Sequence, residues 1–311
     1  MGCQADAEAV VIRTPSEPAV SPRLGPDHLP APSMFNLLEI LPPFGKVQVI
    51  DVGAMDLGSE IYDPLVKAGV AGVLGFECVQ AECDRLNAMA RESRAYLPYA
   101  IGDGTTRAFH ECNFPMTSSL LEPNSALLDR FQNLENLTQV VKKHTFATKR
   151  LDDIPEITGA DFLKLDVQGA ELDVLNGGDR LLADALVVHT EVEFVEMYKG
   201  QPLFAEVDQR LRRSGFVFHK FAGIAGRTFK PLVVNNDVNK CLSQMLWAEA
   251  VYVKDFMALD RLPPEKLLRL AVILHMVYGS FDLAMQALLA YDRQTASDVA
   301  QKYFLRLTAP R

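Results

Sequence analysis

The sequence predicts an α/β fold built on a seven-stranded sheet that is mostly parallel and is completed by an antiparallel strand. Short runs of apolar and β-branched residues recur along the chain, and stretches with helical periodicity separate most of them. Such an alternation calls for right-handed crossovers between parallel strands and for helices on both faces of the sheet. The last two strands are separated only by a Gly/Asn-rich loop, so we expect them to form a closing antiparallel pair.

The predicted strands are recognised by their composition and by the residues that end them. Gly53 closes the first strand, Glu77 follows the second, and the third ends at Gly102-Asp103. The fourth strand ends at Asp166, and the fifth is strongly apolar. In chain order the predicted strands span residues 47–52, 71–76, 96–101, 161–166, 185–192, 216–221 and 244–253.

The chain divides into a tail, a main domain with an insertion, and a helical appendage. Residues 1–33 are rich in proline and predict a disordered tail, because this composition cannot bury enough apolar surface to offset chain entropy. Residues 34–258 form the α/β domain, and residues 105–150 interrupt its strand–helix rhythm, which indicates a lid. Residues 259–311 are helical throughout and offer apolar stripes through which the chain could form homo-oligomers.

Composition and charge exclude several classes of protein. The chain has 311 residues, a formal net charge of −9 and 49% hydrophobic residues. An acidic chain argues against nucleic acid as the main partner, because such binding requires a basic footprint. No apolar run approaches the ~18 residues of a transmembrane helix. The five cysteines form no CxxC pair and no zinc-ligand spacing, so we expect a cytoplasmic protein without a metal centre.

Ligands of open α/β sheets bind outside the carboxyl ends of the strands, so the residues at those ends carry the functional prediction. Asp51 can receive an ammonium or hydroxyl group, and the small residues Gly53 and Ala54 let a ligand approach the backbone. Glu77 occupies the position from which a carboxylate accepts hydrogen bonds from ribose hydroxyls, and Asp103 can accept from an adenine amino group. Because the GxGxxG motif is missing, the pattern indicates a nucleoside without a pyrophosphate.

Each of these residues also has a purely structural interpretation. Gly53 suits a tight turn, Glu77 suits the positive end of the following helix, and Asp103 with Gly104 suits an ordinary turn. The structural interpretation is the better one for each residue taken singly. Because the residues lie at the ends of three successive strands, the nucleoside site is the better interpretation of the set.

The fourth and fifth strands carry the candidate catalytic residues. Asp166 ends the fourth strand, where its carboxylate would face the reacting end of the ligand. His189 and Glu191 share one face of the fifth strand, and either could act as a general base if it is exposed in the cleft. A lone histidine on a strand is more often a satisfied core residue. Lys164 alternates with Asp166 on one strand face, so we expect these two side chains to form an ion pair.

Several segments of the chain resemble the FkbM family of methyltransferases. The most specific runs from Lys164 to Glu171 and reads Lys-Leu-Asp-Val-Gln-Gly-Ala-Glu, after an earlier Leu-Asp-Asp element at 151–153. Residues 191–194 and 200–204 resemble a bacterial branch of the family. The resemblance covers roughly residues 47–255, and the other matching segments are 49–54, 75–77 and 100–103.

The resemblance implies a class I, Rossmann-like methyltransferase that uses S-adenosylmethionine. It also implies methyl transfer to oxygen, with a small-molecule or glycan acceptor such as a sugar hydroxyl of a glycolipid, polysaccharide or secondary metabolite. By this resemblance the cofactor contacts are Asp51, Gly53, Ala54, Glu77, Gly102 and Asp103, and Asp166 lies near the transferred methyl group.

Alternative functions remain open at this stage. A dehydrogenase is disfavoured by the missing glycine motif. A methyltransferase-like scaffold without turnover, which would serve as a binding or assembly subunit, stays open for two reasons. Met55-Asp56-Leu57-Gly58 stands where the family often has Asn-x-Gly, and the chain carries the appended helices. Cofactor affinity without turnover on any glycan would distinguish this scaffold from the enzyme. Within the enzyme interpretation, a divalent cation could replace the general base, although the carboxylates show no metal-binding motif.

Overall fold

The computed structural model describes residues 10–12, 35–55, 58–90 and 93–309, which alternate between strands and helices as the sequence predicts. In chain order the strands are β1 (Val10–Ile12), β2 (Val47–Val52), β3 (Ala71–Phe76), β4 (Arg94–Leu97), β5 (Thr106–Cys112), β6 (Val140–Ala147), β7 (Phe162–Leu165), β8 (Val187–Glu193), β9 (Phe216–Gly226), β10 (Leu232–Val234) and β11 (Met245–Lys254). The α-helices are α1 (Asp63–Lys67), α2 (Gln80–Met89), α3 (Ser125–Leu128), α4 (Leu134–Leu137), α5 (Glu171–Asn176), α6 (Asp179–Asp184), α7 (Phe204–Arg213), α8 (Pro264–Met276), α9 (Phe281–Thr295) and α10 (Val299–Thr308). Short 3-10 helices span Leu37–Glu39, Pro115–Thr117, Leu151–Asp153 and Phe256–Arg261.

The central sheet has seven strands in the order β4-β3-β2-β7-β8-β11-β9. Strands β4, β3, β2, β7 and β8 pair in parallel, and β11 runs antiparallel to both of its neighbours, β8 and β9. This is the class I methyltransferase arrangement that the sequence predicts, including the antiparallel closing strand. The strand order reverses beside β2, so β3 and β7 flank it on either side, and a ligand-binding crevice is expected at their carboxyl ends.

Apolar side chains alternate along the strands and fill two cores, one on each face of the sheet. On β2, Val47 and Val49 belong to one core, whereas Ile50 and Val52 belong to the other. This period of two follows from the pleat of a strand. Helices α5, α6 and α7 cover the face of Ile50 and Val52, and α8, α9 and α10 cover the face of Val47 and Val49.

The predicted C-terminal helices are present as α8, α9 and α10. They are packed on the sheet, because their apolar residues share one buried cluster with β2, β7 and β11. Charged contacts also join α8 to the sheet, since Lys266 Nζ lies 2.9 Å from Oδ1 of the buried Asp161. Arg269 donates to the Gly45 carbonyl at 3.1 Å. No helix among the described residues is long and apolar enough to cross a membrane.

The structure differs from the predicted elements at the third strand and in the insertion. Strand β4 ends at Leu97, four residues before the predicted end, because Pro98 has no amide hydrogen to continue the ladder. The predicted insertion forms a separate antiparallel pair, β5 with β6. Residues 10–12 of the predicted disordered tail form β1, which pairs in parallel with β10. The rest of that tail lies outside the described residues.

Candidate functional site

A cavity of about 420 Å³ lies at the carboxyl ends of β3, β2 and β7. This volume falls in the usual range for a small-molecule pocket. Glu77, Gly53 and Asp166 line it, and they follow β3, β2 and β7 respectively. Because these strands are neighbours in the order β3-β2-β7, the three residues stand in a row. The cavity therefore lies at the ends of the first, second and fourth predicted strands, where the sequence places Gly53, Glu77 and Asp166.

Gly53 makes the turn after β2 pass very close to the end of β7. Its φ is +83°, and an added Cβ would lie 1.9 Å from the carbonyl oxygen of Asp166. The amides of Gly53 and Ala54 both donate to the Phe76 carbonyl, at 3.1 and 3.0 Å. These two amides are therefore occupied within the protein. Gly53 faces the cavity, whereas the described residues that line the cavity do not include Ala54.

Replacing Gly53 by alanine should lower the free energy of unfolding by about 3 kcal/mol, because strain at positive φ and a steric clash act together. Gly69→Ala is the matched control, since Gly69 also has positive φ (+74°) and an added Cβ meets nothing within 4 Å. The control isolates the backbone cost and should lose about 1–2 kcal/mol. Urea denaturation of both variants measures the difference, and equal losses would show that the predicted clash is relieved without cost.

Asp51 serves an internal ion pair and does not line the cavity. It is buried, its Oδ2 accepts from the Tyr62 hydroxyl at 2.6 Å, and Lys164 Nζ donates to its Oδ1 at 3.2 Å. Lys164 also lies 3.7 Å from Oε2 of Glu60. The predicted ion pair between Lys164 and Asp166 is therefore replaced by pairs with Asp51 and Glu60, because Asp51 lies directly opposite Lys164 in the β2–β7 register.

Electrostatic effects within this buried group favour a charged lysine. Burial opposes the charge of Lys164, but the surrounding carboxylates of Asp51, Asp166 and Glu60 outweigh it and raise its pKa. Burial raises the pKa of Glu60 to about 7, against the opposing effect of Lys164. Lys164 is thus the cation that holds this acidic region together.

Glu77 lies at the end of β3 with its carboxylate directed at the start of α2. Its Oε1 accepts from the amide of Val79 at 2.6 Å, which is the structural role that the sequence allowed. A carboxylate has further acceptor capacity for ligand hydroxyls. Burial raises the pKa of Glu77 to about 7. Glu77 therefore combines a helix-capping contact with a position on the cavity wall.

The structure does not bring Gly102 and Asp103 to the cavity. Asp103 accepts hydrogen bonds from the Thr105 hydroxyl at 2.6 Å and amide at 2.9 Å, and these bonds lower its pKa. Because β4 ends at Leu97, the cavity is lined at this point by Tyr99, Ala100 and Ile101, upstream of the predicted pair. The contacts of Asp103 are thus those of an ordinary turn, which is the structural interpretation that the sequence allowed.

Asp166 lines the cavity at the end of β7. Burial is the main cause that raises its pKa, which makes the carboxylate a stronger base than an exposed aspartate. The side-chain amide of Gln168 donates to its Oδ1 at 2.7 Å and to Glu191 Oε2 at the same distance. Gln168 was not singled out by the sequence, because no periodicity predicts a contact made across a loop.

His189 and Glu191 lie outside the set of described residues that line the cavity. Both ring nitrogens of His189 have partners, since Nδ1 lies 3.0 Å from the Tyr278 hydroxyl and Nε2 lies 2.9 Å from Glu249 Oε2. Tyr278 follows α8, so His189 joins the sheet to the C-terminal helices. Burial raises the pKa of Glu191 well above its usual value. The predicted roles of these two residues as exposed bases therefore lack the required access.

Three buried carboxylates form a cluster beneath Gln168. Oxygen atoms of Glu171, Glu191 and Glu193 all lie within 4.8 Å of one another, which is close enough to hold a metal ion. Two of the three already accept hydrogen bonds, because Glu171 accepts from the Val167 amide at 2.9 Å and Glu191 accepts from Gln168. Glu193, the third member, has a buried Oε1 that lacks a hydrogen-bond partner.

The 105–150 insertion covers the cavity opposite the strand ends. Four of its residues contribute to the cavity lining, namely Phe109, Glu111, Met116 and Ser118. This position is consistent with the lid that the sequence predicts for the insertion. Of three neighbouring hydroxyl residues in the insertion, Ser118 lines the cavity, whereas Ser119 donates to the Gln168 carbonyl at 2.7 Å and the Thr117 hydroxyl donates to backbone carbonyls. This side of the cavity thus combines apolar surface with a carboxylate and a hydroxyl.

Residues 51–218 match the family model of the methyltransferase FkbM domain. A stretch of 65 residues, 20% of this chain, is 43% identical to the 2-O-methyltransferase NoeI of Sinorhizobium fredii (strain NBRC 101917 / NGR234). The match spans 27% of that protein's length.

Solved structures align with this chain at low sequence identity. An S-adenosylmethionine-dependent methyltransferase from Mesorhizobium loti aligns with a TM-score of 0.33 and 11% identity, over 70% of this chain and 95% of that chain. LepI, in complex with SAM, aligns with a TM-score of 0.31 and 10% identity, over 72% of this chain and 48% of that chain.

Proposed function

The chain belongs to the family of methyltransferase FkbM domains, and on this premise we propose that it transfers a methyl group from S-adenosylmethionine to a sugar hydroxyl. The observation that carries the proposal is the row of Glu77, Gly53 and Asp166 along one cavity. In this row a ribose-binding carboxylate and a candidate base are separated by a turn that only glycine can make. The acceptor is a small molecule or a glycan.

The residues of the cavity fit S-adenosylmethionine. Glu77 can accept hydrogen bonds from the ribose hydroxyls, and the turn at Gly53 leaves room beside β2 where a side chain would intrude. Tyr99 and Phe76 present stacked apolar rings, with centroids 6.3 Å apart, on the wall beyond β3. S-adenosylmethionine supplies an electrophilic methyl group on a positively charged sulfur. Asp166 lies on the opposite side of Gly53 from Glu77, which supports its assignment to the methyl-donating end.

Asp166 is proposed as the general base. A sugar hydroxyl is a weak nucleophile until its proton is removed, and positioning supplies much of the remaining rate. In the proposed step the acceptor oxygen bonds to the methyl carbon, the carbon–sulfur bond breaks, and the hydroxyl proton passes to Asp166. The products are a methyl ether and S-adenosylhomocysteine. The raised pKa of Asp166 suits this role near neutral pH.

Two features support a sugar as the acceptor. The lid presents Phe109 and Met116 beside Glu111 and Ser118, and this mixture suits a sugar with apolar CH faces and polar hydroxyls. NoeI, which is similar over part of its length, is named a 2-O-methyltransferase. A panel of monosaccharides, glycolipids and polysaccharides, assayed by S-adenosylhomocysteine formation, tests this part of the proposal.

The Glu77→Gln variant tests the cofactor assignment. Its amide oxygen can still accept from Val79, so the helix cap survives while the charged acceptor is lost. We expect S-adenosylhomocysteine to bind roughly 10- to 100-fold more weakly, because hydrogen bonds to charged groups are worth about 1.5–3 kcal/mol. Wild-type affinity should also fall as the pH drops below about 7, where Glu77 takes up a proton. The variant should lack this part of the pH dependence.

Isothermal titration calorimetry at several pH values measures both effects. Glu156→Gln is the control, because Glu156 lies outside the described cavity lining and accepts from the Tyr99 hydroxyl at 3.2 Å. Unchanged affinity in Glu77→Gln would remove the ribose assignment. A folded wild-type protein that binds no S-adenosylhomocysteine would overturn the cofactor proposal and favour a methyltransferase-like scaffold.

A further inference from the structure

Gln168 adopts a backbone conformation that is unusual for its residue type. Its φ is +54°, in the left-handed region that residues other than glycine seldom occupy. It is followed by Gly169, whose φ is +97°. Strained residues of this kind persist only where the surrounding contacts hold them, and they are concentrated at functional sites. Gln168 lies on the cavity wall two residues after Asp166, so its contacts bear on the candidate base.

The side-chain amide of Gln168 is fully used between two carboxylates. A glutamine amide nitrogen carries two hydrogens. One is donated to Asp166 Oδ1 and the other to Glu191 Oε2, each at 2.7 Å. Gln168 therefore fixes the orientation of Asp166 and also separates two carboxylates that would otherwise repel each other.

The rest of Gln168 is held by the lid and by the loop after β8. Its backbone carbonyl accepts from the Ser119 hydroxyl at 2.7 Å, and Ser119 belongs to the 105–150 insertion. Its side-chain oxygen lies 3.3 Å from the Tyr198 hydroxyl, which also lies 2.9 Å from the Thr117 carbonyl. Both ends of the residue are thus anchored, and the amide is directed at Asp166.

We propose that Gln168 is the positioning residue of the reacting centre, which orients Asp166 and keeps its carboxylate ionised by donating a hydrogen bond to it. The inference rests on the proposed function, because Asp166 matters only if methyl transfer occurs beside it. Gln168 acts through Asp166, and no contact of Gln168 with the substrate is required.

The groups around Asp166 determine the direction of the expected effect. Burial raises its pKa, and the hydrogen bond from Gln168 lowers it. Loss of that bond should therefore raise the pKa further. The charged and titratable groups that face Asp166 from the packed elements are Lys164 on β7, Asp51 on β2, Glu60 before α1, Glu249 on β11, Glu191 and Glu193 on β8 and Glu171 on α5.

The ionisation of Asp166 can be measured without knowing the acceptor. S-adenosylmethionine carries a positive sulfur and S-adenosylhomocysteine carries a neutral one, and the two are otherwise alike near this end. An ionised Asp166 beside the sulfur should favour the positive ligand. The ratio of the two dissociation constants should therefore change with pH, and the midpoint of this change lies between the pKa values of Asp166 in the two complexes. Titrations of purified protein over the pH range in which it stays folded give this midpoint.

The Gln168→Met variant removes the amide and keeps a side chain of similar length. We expect the midpoint to move upward by about one to two pH units, since a hydrogen bond to a charged group is lost. Gln139→Met is the matched control, because Gln139 is exposed and outside the described cavity lining. Asp166→Asn should abolish the pH dependence of the ratio, which assigns the midpoint to Asp166.

The outcomes separate this inference from the proposed function. If neither ligand binds the wild-type protein, the proposed function fails. If both bind and the midpoint is the same in Gln168→Met, or if the wild-type ratio does not vary with pH, the positioning role is wrong. Thermal unfolding monitors folding of each variant. Should Gln168→Met unfold, Gln168→Asn replaces it, because asparagine tolerates positive φ and is too short to reach both carboxylates.

Discussion

Replacing Asp166 by asparagine is expected to lower kcat by about 10²- to 10⁴-fold, which is the usual contribution of a general base. The substitution is nearly isosteric, and the asparagine oxygen can still accept from Gln168. S-adenosylhomocysteine affinity should therefore change little, because that ligand carries no charge on sulfur. The measurement is the initial rate of S-adenosylhomocysteine formation with the acceptor identified by the glycan panel.

The Asp103→Asn variant is the matched control for Asp166. Asp103 is a carboxylate that the sequence also placed in the site, but its oxygens are taken up by Thr105 in a turn. We expect its kcat and cofactor affinity to change little. An unaltered kcat in Asp166→Asn would remove Asp166 as the base. His189 and Glu191 would not replace it, because both are buried away from the described cavity lining.

Replacing Lys164 by methionine is expected to lower the free energy of unfolding by about 3–5 kcal/mol, the usual cost of breaking a buried ion pair by removing one partner. The variant leaves the carboxylate of Asp51 buried without its cation, and Glu60 loses the same partner. The pKa of Glu60 in the folded state should rise further, because Lys164 is the group that lowers it. Native protein then binds more protons than unfolded protein at intermediate pH, so the loss should be larger at about pH 8 than at about pH 5.

Urea denaturation at both pH values measures this loss. Lys67→Met is the matched control, because Lys67 pairs with Asp63 at 3.3 Å while 75% of its side chain is exposed. An exposed pair of this kind contributes about 0–1 kcal/mol. If Lys164→Met lost no more than the control, with no change between the two pH values, the ion-pair account of this region would be wrong.

Strand alternation in the sequence predicted most of the fold, and the exceptions have local causes. Val47, Val49, Ile50 and Val52 alternate between the two cores as the period of two requires. The third strand was extended too far because the apolar run continues through residues 99–101, although Pro98 had already ended the ladder. For the same reason Gly102 and Asp103, the predicted adenine contacts, lie beyond the residues that line the cavity, which are Tyr99, Ala100 and Ile101. The adenine contact itself stays a prediction.

The candidate site was predictable where it depends on strand ends and unpredictable where it depends on strand order or loop geometry. Gly53, Glu77 and Asp166 follow strands directly, so the sequence alone indicates that they meet. Lys164 faces Asp51 because β2 and β7 are neighbours in the sheet. The sequence of a single strand does not show which strands will pair with it, so this contact could not be predicted. Gln168 reaches Asp166 and Glu191 through a positive φ that no composition rule assigns to glutamine.

The packing of α8, α9 and α10 on β2 has a consequence for biosynthesis. Strand β2 is translated before α8, α9 and α10, and more than 200 residues separate it from these helices. Until they are made, Val47 and Val49 can pack against nearby residues of the same cluster, such as Tyr62 and Leu65, but part of that face exposes apolar surface of the kind that chaperones recognise. This half of the core is complete only after α8, α9 and α10 have left the ribosome, so helices made long after β2 complete the assembly of the sheet.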